Sequence, residues 1–186
     1  MSALIDIAFL TGDGRETSLT DHAGEVVLMV NVASKCGLTP QYEALQRLHD
    51  TFKSDGFTVL GFPANDFMDQ EPGTDTEIAD FCATQYAVTF PVLSKISVMG
   101  ESQHPLYAEL TRRMPTAPGK ETFRDTLREA GLEPTSDPDV LWNFEKFLIG
   151  RDGKVVARFA PSVAPDAREV VEAIKAALVA GAGGCA

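Results

Sequence analysis

The sequence lacks the cysteine and histidine patterns of disulfide-rich and metal-binding proteins. It has three cysteines, Cys36, Cys82 and Cys185, with no C-x-x-C pair, and its three histidines are scattered. A disulfide scaffold needs paired cysteines and a zinc site needs clustered ligands, so neither is expected. We expect the three cysteines to be thiols in a reducing cytosol unless chemistry oxidises them.

The chain is also poor in basic residues and has no long apolar run. Its 16 basic residues against 27 acidic ones give a net charge of -11, which disfavours nucleic acid and anionic membrane surfaces as partners. No apolar segment approaches the length of a bilayer span, and the opening "MSALIDIAFL" has no basic region and contains Asp6. We therefore expect a cytoplasmic protein that binds neither nucleic acid nor membrane.

No internal repeat or interdomain linker divides the sequence. With 186 residues, 44% of them hydrophobic, the chain can bury one sizeable core, and we predict a single domain over residues 1–186. The glycine-rich segment 181–186 is expected to be a flexible tail. Within residues 111–141, prolines and glycines surround "ETFRDTLREA", which predicts an irregular insertion with one amphipathic helix.

Strand and helix patterns alternate along the first part of the chain. The apolar runs "VVLMVNV" and "FTVLGF" are typical of buried strands, and "FPVLSKISV" is a third strand candidate. Helices are predicted after Thr39 as N-cap, after a capping box of Thr74 and Glu77, and from Pro105. A hairpin of "WNFEKFLIG" and "KVVARFA" and a final helix close the chain. The pattern predicts an α/β fold with a central mixed sheet flanked by helices.

Cys36 follows a predicted buried strand and precedes a predicted helix, where open α/β sheets usually place their chemistry. The positive end of that helix and the neighbouring Lys35 are expected to lower the pKa of the thiol, and the thiolate is the nucleophile. Cysteine is also a common core residue, so burial alone would explain it equally simply. We interpret Cys36 as a reactive thiol.

Uncharged hydrogen-bond donors occur in two other segments. Asn65 and Gln70 lie in "FPANDFMDQEPG", and Trp142 and Asn143 lie in "WNF". Neutral donors stabilise a thiolate and leave it nucleophilic. Taken singly, each residue could equally be an ordinary turn or core residue.

Three segments, in this order, resemble the signature segments of the glutathione peroxidase family: "NVASKCGLT", "GFPANDFMDQEPG" and "LWNFEKFLI". The similarity extends over residues 4 to about 180, and the 111–141 segment is most similar to the cysteine-containing bacterial branch named for vitamin B12 transport. The resemblance implies peroxidase activity. It also implies a thioredoxin-like fold with an N-terminal hairpin and an insertion before the last hairpin.

The resemblance further implies a catalytic site. Cys36 matches the peroxidatic cysteine of the family, and Gln70, Trp142 and Asn143 match the other three residues of its tetrad. Cys82 matches the resolving cysteine of relatives that form an internal disulfide, although its position on a helix face also fits a core residue.

The resemblance implies the reaction and its participants as well. A hydroperoxide would oxidise Cys36 to a sulfenic acid, Cys82 would resolve it as a disulfide, and thioredoxin would reduce the disulfide, with no metal or organic cofactor. A glutathione-dependent peroxidase without an internal disulfide stays open, as does a redox sensor or binding module with little turnover. We expect a monomer or weak oligomer, and Cys185, which matches nothing in the family, is expected to be incidental.

Overall fold

A mixed four-stranded sheet forms the centre of residues 3–180, the part of the chain that this computed structural model describes. In chain order the strands are β1 (Phe9–Leu10), β2 (Glu16–Thr17), β3 (Val26–Val32), β4 (Phe57–Pro63), β5 (Lys146–Ile149) and β6 (Val155–Phe159). The central order is β4-β3-β5-β6. Since β3 is parallel to β4 and antiparallel to β5, the predicted mixed sheet is confirmed. β1 and β2 form the expected N-terminal hairpin.

Helices pack on both faces of this sheet. They are α1 (Gln41–Phe52), α2 (Asp75–Tyr86), α3 (Pro105–Arg113), α4 (Lys120–Glu129) and α5 (Arg168–Ala180). The capping box predicted for α2 is present, because Thr74 and Glu77 bond reciprocally to each other's backbone. None of the described helices is long and apolar enough to cross a bilayer.

Alternating residues of β3 supply two separate cores. Leu28 and Val30 pack on one face with residues of α1, α2 and α5, and Val27 and Met29 pack on the other face with residues of α3. Side chains of a strand point alternately to its two faces, so a strand that is buried on both faces is mostly apolar along its whole length. The continuous run "VVLMVNV" therefore reflects a position between two helical layers, with all seven residues buried.

The predicted N-cap of α1 is wrong by one residue. Pro40 occupies the N-cap position and makes no side-chain cap. The Thr39 hydroxyl instead reaches back, donating to the Ala33 carbonyl at 2.8 Å and accepting from the Cys36 N–H at 3.0 Å. Because both bonds use the single side-chain oxygen of Thr39, the residue closes the turn before α1 and does not cap the helix.

The third predicted strand, "FPVLSKISV", is also wrong. This segment makes only isolated bridges, Val92 to Gly61 and Leu93 to Thr11. Pro91 has no N–H to donate to a ladder, and the backbone bonds to β4 are two at Gly61, of 3.0 and 2.8 Å, and one from the Ile96 N–H to the Pro63 carbonyl at 3.0 Å. The segment runs beside the sheet edge without joining it.

The insertion contains the one helix that its pattern predicts, α4, although residues 111–113 belong to the last turn of α3. The buried face of α4 is partly charged, since Lys120 and Arg124 lie on it with Leu127. The single domain over residues 1–186 stays a prediction. The expected flexible tail, 181–186, and Cys185 within it lie outside the described residues.

Candidate active site

Cys36 lies in the turn between β3 and α1, as predicted. The residue is only 8% exposed, and the Leu38 backbone N–H donates to its Sγ at 3.3 Å. The Thr39 N–H donates to the Cys36 carbonyl at 3.1 Å, so Thr39 holds this backbone from both sides. The amide at the sulfur belongs to the turn that precedes α1, and the expected influence of the helix terminus on the thiol stays a prediction.

The three segments that carry the sequence-predicted site residues meet at the carboxyl end of β3. The Lys35 backbone N–H donates to the Gln70 carbonyl at 3.0 Å, which ties the cysteine turn to the second segment. The Asn143 side chain donates from Nδ2 to Gln70 Oε1 at 2.9 Å, which ties the second segment to the third. Asn143 is fully buried and Gln70 is half-buried. Because Asn143 occupies its oxygen, the Gln70 amide is left with its NH₂ group to donate.

Trp142 is half-buried beside these groups. It packs against the core cluster that contains Cys36, and its ring centroid lies 5.2 Å from that of Phe67. Asn31 of β3 holds its backbone, donating from Nδ2 to the Trp142 carbonyl at 3.0 Å. Asn31 was not singled out in the sequence, where it is one polar residue within an apolar strand.

The loop that carries Gln70 is fixed from within. Asn65 accepts the Glu71 N–H at 2.8 Å and donates to Asp69 at 3.0 Å. Met68 and Asp69, which precede Gln70, both have a positive φ, of 53° and 52°. Non-glycine residues adopt this conformation only where surrounding contacts hold them. Asn65, predicted as a further neutral donor, therefore has the structural role of holding the Gln70 loop.

Cys82 lies on α2 with 1% of its surface exposed, in the same core cluster as Cys36. Both residues are free thiols. Burial raises the pKa of Cys82, and the nearby Glu71 carboxylate raises it further, while the Tyr42 phenol opposes the shift. In this conformation Cys82 is a protonated core thiol, and the structure does not test its predicted resolving role.

A cleft of about 390 Å³ opens beside the cysteine turn, between Lys35, the segment 71–73 and α2. Its wall includes Glu71, which is 1% exposed and accepts a hydrogen bond from the Ser34 hydroxyl at 3.1 Å. Burial raises the pKa of Glu71, and the bond from Ser34 partly offsets this. Glu71 was not predicted as part of the site, and its one signal in the sequence is an acid between Gln70 and a Pro-Gly turn.

No group of three or more His, Cys, Asp or Glu side chains within residues 3–180 is arranged to hold a metal ion. The polar groups on the three segments that meet beside Cys36 are the amides of Gln70 and Asn143, the Trp142 indole and the Thr39 hydroxyl. Such a set can hold a thiolate and donate hydrogen bonds to an oxygen that becomes negatively charged at the sulfur.

Comparison with known proteins agrees with this geometry. The family model described as glutathione peroxidase matches residues 4–111. The "Thioredoxin/glutathione peroxidase BtuE" of Escherichia coli is 52% identical over 168 residues, which cover 89% of this chain and 92% of that protein.

Solved structures give the same result for the fold. The "Crystal structure of Trgpx in apo form" is 38% identical, with a TM-score of 0.65, over 94% of this chain and 97% of that one. A thiol:disulfide interchange protein of the thioredoxin family from Chlorobium tepidum TLS is 17% identical, with a TM-score of 0.57 over 92% of each chain. This last similarity concerns the fold alone, and with the others it confirms the expected thioredoxin-like architecture.

Proposed function

We propose that the Cys36 sulfur reduces the hydroperoxide substrate. The chain belongs to the glutathione peroxidase family, in the branch of the E. coli protein, and is a peroxidase. The observation that carries the proposal is the meeting of three distant segments around the Cys36 turn through two bonds, from Lys35 to Gln70 and from Asn143 to Gln70.

In the first step, the Cys36 thiolate attacks the terminal oxygen of the hydroperoxide. The O–O bond breaks, sulfur becomes a sulfenic acid, and the departing oxygen takes a proton and leaves as water or an alcohol. The Gln70 NH₂ group and the Trp142 indole are the donors that would stabilise charge on that oxygen, and Asn143 fixes the orientation of the Gln70 amide.

In the second step, Cys82 attacks the sulfenic sulfur, an S–S bond forms, and the S–O bond breaks to release water. A disulfide requires Cα atoms within about 7 Å of each other and side chains that face each other. Cys82 is buried within α2, so resolution would require this helix to loosen. Exchange with a dithiol such as thioredoxin then returns both thiols and oxidises the reductant to its own disulfide.

A glutathione-dependent peroxidase without an internal disulfide is the second candidate. The burial of Cys82 and its raised pKa favour it, because a protonated core thiol is a poor nucleophile. The name of the E. coli relative includes both reductants, so it supports either version.

Peroxide consumption with thioredoxin and its reductase, measured beside consumption with glutathione, tests the proposal. We expect Cys36→Ser to abolish turnover with both reductants, and retained turnover would mean that the nucleophile lies elsewhere. For Cys82→Ser, the first oxidation of Cys36 should survive while thioredoxin-supported cycling stops. Unchanged cycling would favour the glutathione version, and a wild-type protein that is oxidised once without cycling would favour a redox sensor.

The cytoplasmic location and the monomeric or weakly oligomeric state are part of the same proposal. An acidic surface and free thiols support a reducing compartment without a membrane partner. Size-exclusion chromatography with light scattering would measure the oligomeric state directly.

A further inference from the structure

An ionic cluster, defined here as Lys120, Asp137, Glu145 and Arg158 and buried except at Asp137, connects α4 to the strands that follow the site. Glu145 Oε1 lies 2.5 Å from Arg158 Nε and 3.4 Å from Lys120 Nζ, and Lys120 also contacts Asp137 at 2.8 Å. The side chains of Glu145 and Arg158 are fully buried and that of Lys120 is 1% exposed. Buried ion pairs are weak contributors to stability compared with apolar packing, so their presence calls for another explanation.

The second oxygen of Glu145 binds the backbone of the segment that carries Trp142 and Asn143. Glu145 Oε2 accepts the Leu141 N–H at 2.6 Å, in a buried bond. Leu141 and Glu145 stand on either side of Trp142, Asn143 and Phe144, so this bond closes a short loop around the two site residues.

This loop has a strained backbone that needs such a bond. Phe144 has a φ of 66°, in the left-handed region that bulky residues rarely adopt. On one side, Asn31 holds the loop through the Trp142 carbonyl and through the Phe144 N–H, which it accepts at 2.6 Å. On the other side, the Leu141 N–H donates to Glu145, whose carboxylate is itself held by Arg158.

We propose that Glu145 is a positioning residue for Trp142 and Asn143, acting through its hydrogen bond from Leu141, and that Arg158 fixes its carboxylate for this purpose. The inference rests on the proposed function, because it assigns the positioned groups to the oxidation of Cys36. Lys120 completes the charge balance of the cluster and contacts Glu145 Oε1, the oxygen that does not bind the Leu141 N–H.

The test separates the acceptor at position 145 from the charge at that position. Glu145→Gln keeps an oxygen for the Leu141 N–H, whereas Glu145→Met fills the same space without one. Since a misplacement of about 1 Å can slow an enzymatic step by about 100-fold, we expect Glu145→Met to slow Cys36 oxidation by peroxide by at least about 10-fold. Glu145→Gln should retain most of the rate. The rate is measured in a single turnover, by alkylation of the remaining thiol and mass spectrometry.

A second readout does not depend on activity. Trp142 is the only tryptophan of the chain, so intrinsic fluorescence reports on this loop alone. In Glu145→Met we expect acrylamide to quench the emission more strongly than in the wild type, while Glu145→Gln should resemble the wild type. Lys120→Met is the matched control, because it removes a buried cation from the same cluster and leaves the Leu141 bond in place.

If Glu145→Met does not fold, the double variant Glu145→Met/Arg158→Met replaces it in both measurements. The double variant removes the buried partner charge together with the carboxylate. Amide exchange of the wild-type protein adds a measurement that needs no variant, and we expect the Leu141 N–H to exchange slowly. A Leu141 amide that exchanges as fast as exposed loop amides would overturn the inference. So would a folded Met variant with wild-type quenching and oxidation rate, or a Lys120→Met protein that loses both as severely.

These outcomes are distinct from a failure of the proposed function. If wild-type Cys36 does not react with peroxide, the proposed function fails, while the quenching and exchange measurements still report whether Glu145 positions the loop.

Discussion

Thr39→Val is the sharpest test of how the turn holds Cys36. Valine keeps the shape of threonine but removes the hydroxyl that accepts the Cys36 N–H at 3.0 Å and donates to the Ala33 carbonyl at 2.8 Å. Both bonds are buried, and a buried donor or acceptor left without a partner costs roughly 1–3 kcal/mol. With partial relaxation of the turn, we expect the free energy of unfolding to fall by about 2–4 kcal/mol.

Thr39→Ser is the matched control, because it keeps the hydroxyl and loses one methyl group, worth about 1 kcal/mol. Urea unfolding of the three proteins at one pH measures the difference. The single-turnover oxidation of Cys36 is measured on the same samples under conditions where each is folded. Thr39→Val should slow the oxidation by about 10-fold or more, because the thiol loses its fixed position, and Thr39→Ser should keep most of the rate.

Thr39 does not stabilise the turn through its hydroxyl if the two variants unfold within about 0.5 kcal/mol of each other, which is the scatter of neutral substitutions. Thr39 does not position the thiol if Thr39→Val loses stability and yet oxidises Cys36 at the wild-type rate. In that case the turn would serve folding alone.

Two further predictions concern pH and the end of α2. Burial lowers the pKa of Lys146 from 10.5 to about 7, so the unfolded chain binds a proton that the folded protein lacks between those values, and stability should rise with pH across that window. Lys146→Met should flatten this rise, worth up to about 1.4 kcal/mol per pH unit, in urea unfolding at pH 7, 8 and 9, and parallel curves for the two proteins would contradict it. Ala87 ends α2 with a φ of 50°, so Ala87→Gly should raise the free energy of unfolding by about 0.5–1 kcal/mol; a loss of stability would show that the αL conformation is not strained.

The parts of the fold that are specified by local pattern could be predicted from the sequence. The apolar run of β3 indicated a strand buried on both faces, and Thr74 with Glu77 indicated the start of α2. Local pattern failed where one side chain had two possible sets of nearby backbone partners. Thr39 has the side chain of an N-cap, but its hydroxyl is engaged by the Cys36 turn.

The candidate site could be predicted as a set of residues but not as an arrangement. The bond from Asn143 to Gln70 joins positions far apart in the chain, so no local pattern predicts that it forms or which residue donates. Glu145 and Arg158 were harder still, because charged residues are expected at the surface and these are fully buried. The available signal was Glu145 itself, an acid directly before an apolar strand.

The structure separates two uses of charge around the site. At Cys36, the hydrogen bond to sulfur comes from the backbone amide of Leu38. Lys35 is an exposed residue, and its backbone N–H donates to the Gln70 carbonyl. Full charges are paired in the cluster around Glu145, which binds the backbone of the neighbouring loop. A thiol whose pKa is lowered strongly by a paired cation also loses nucleophilicity. The arrangement therefore agrees with the proposed mechanism, in which a neutral donor at the sulfur leaves it nucleophilic and ion pairs support only the neighbouring loop.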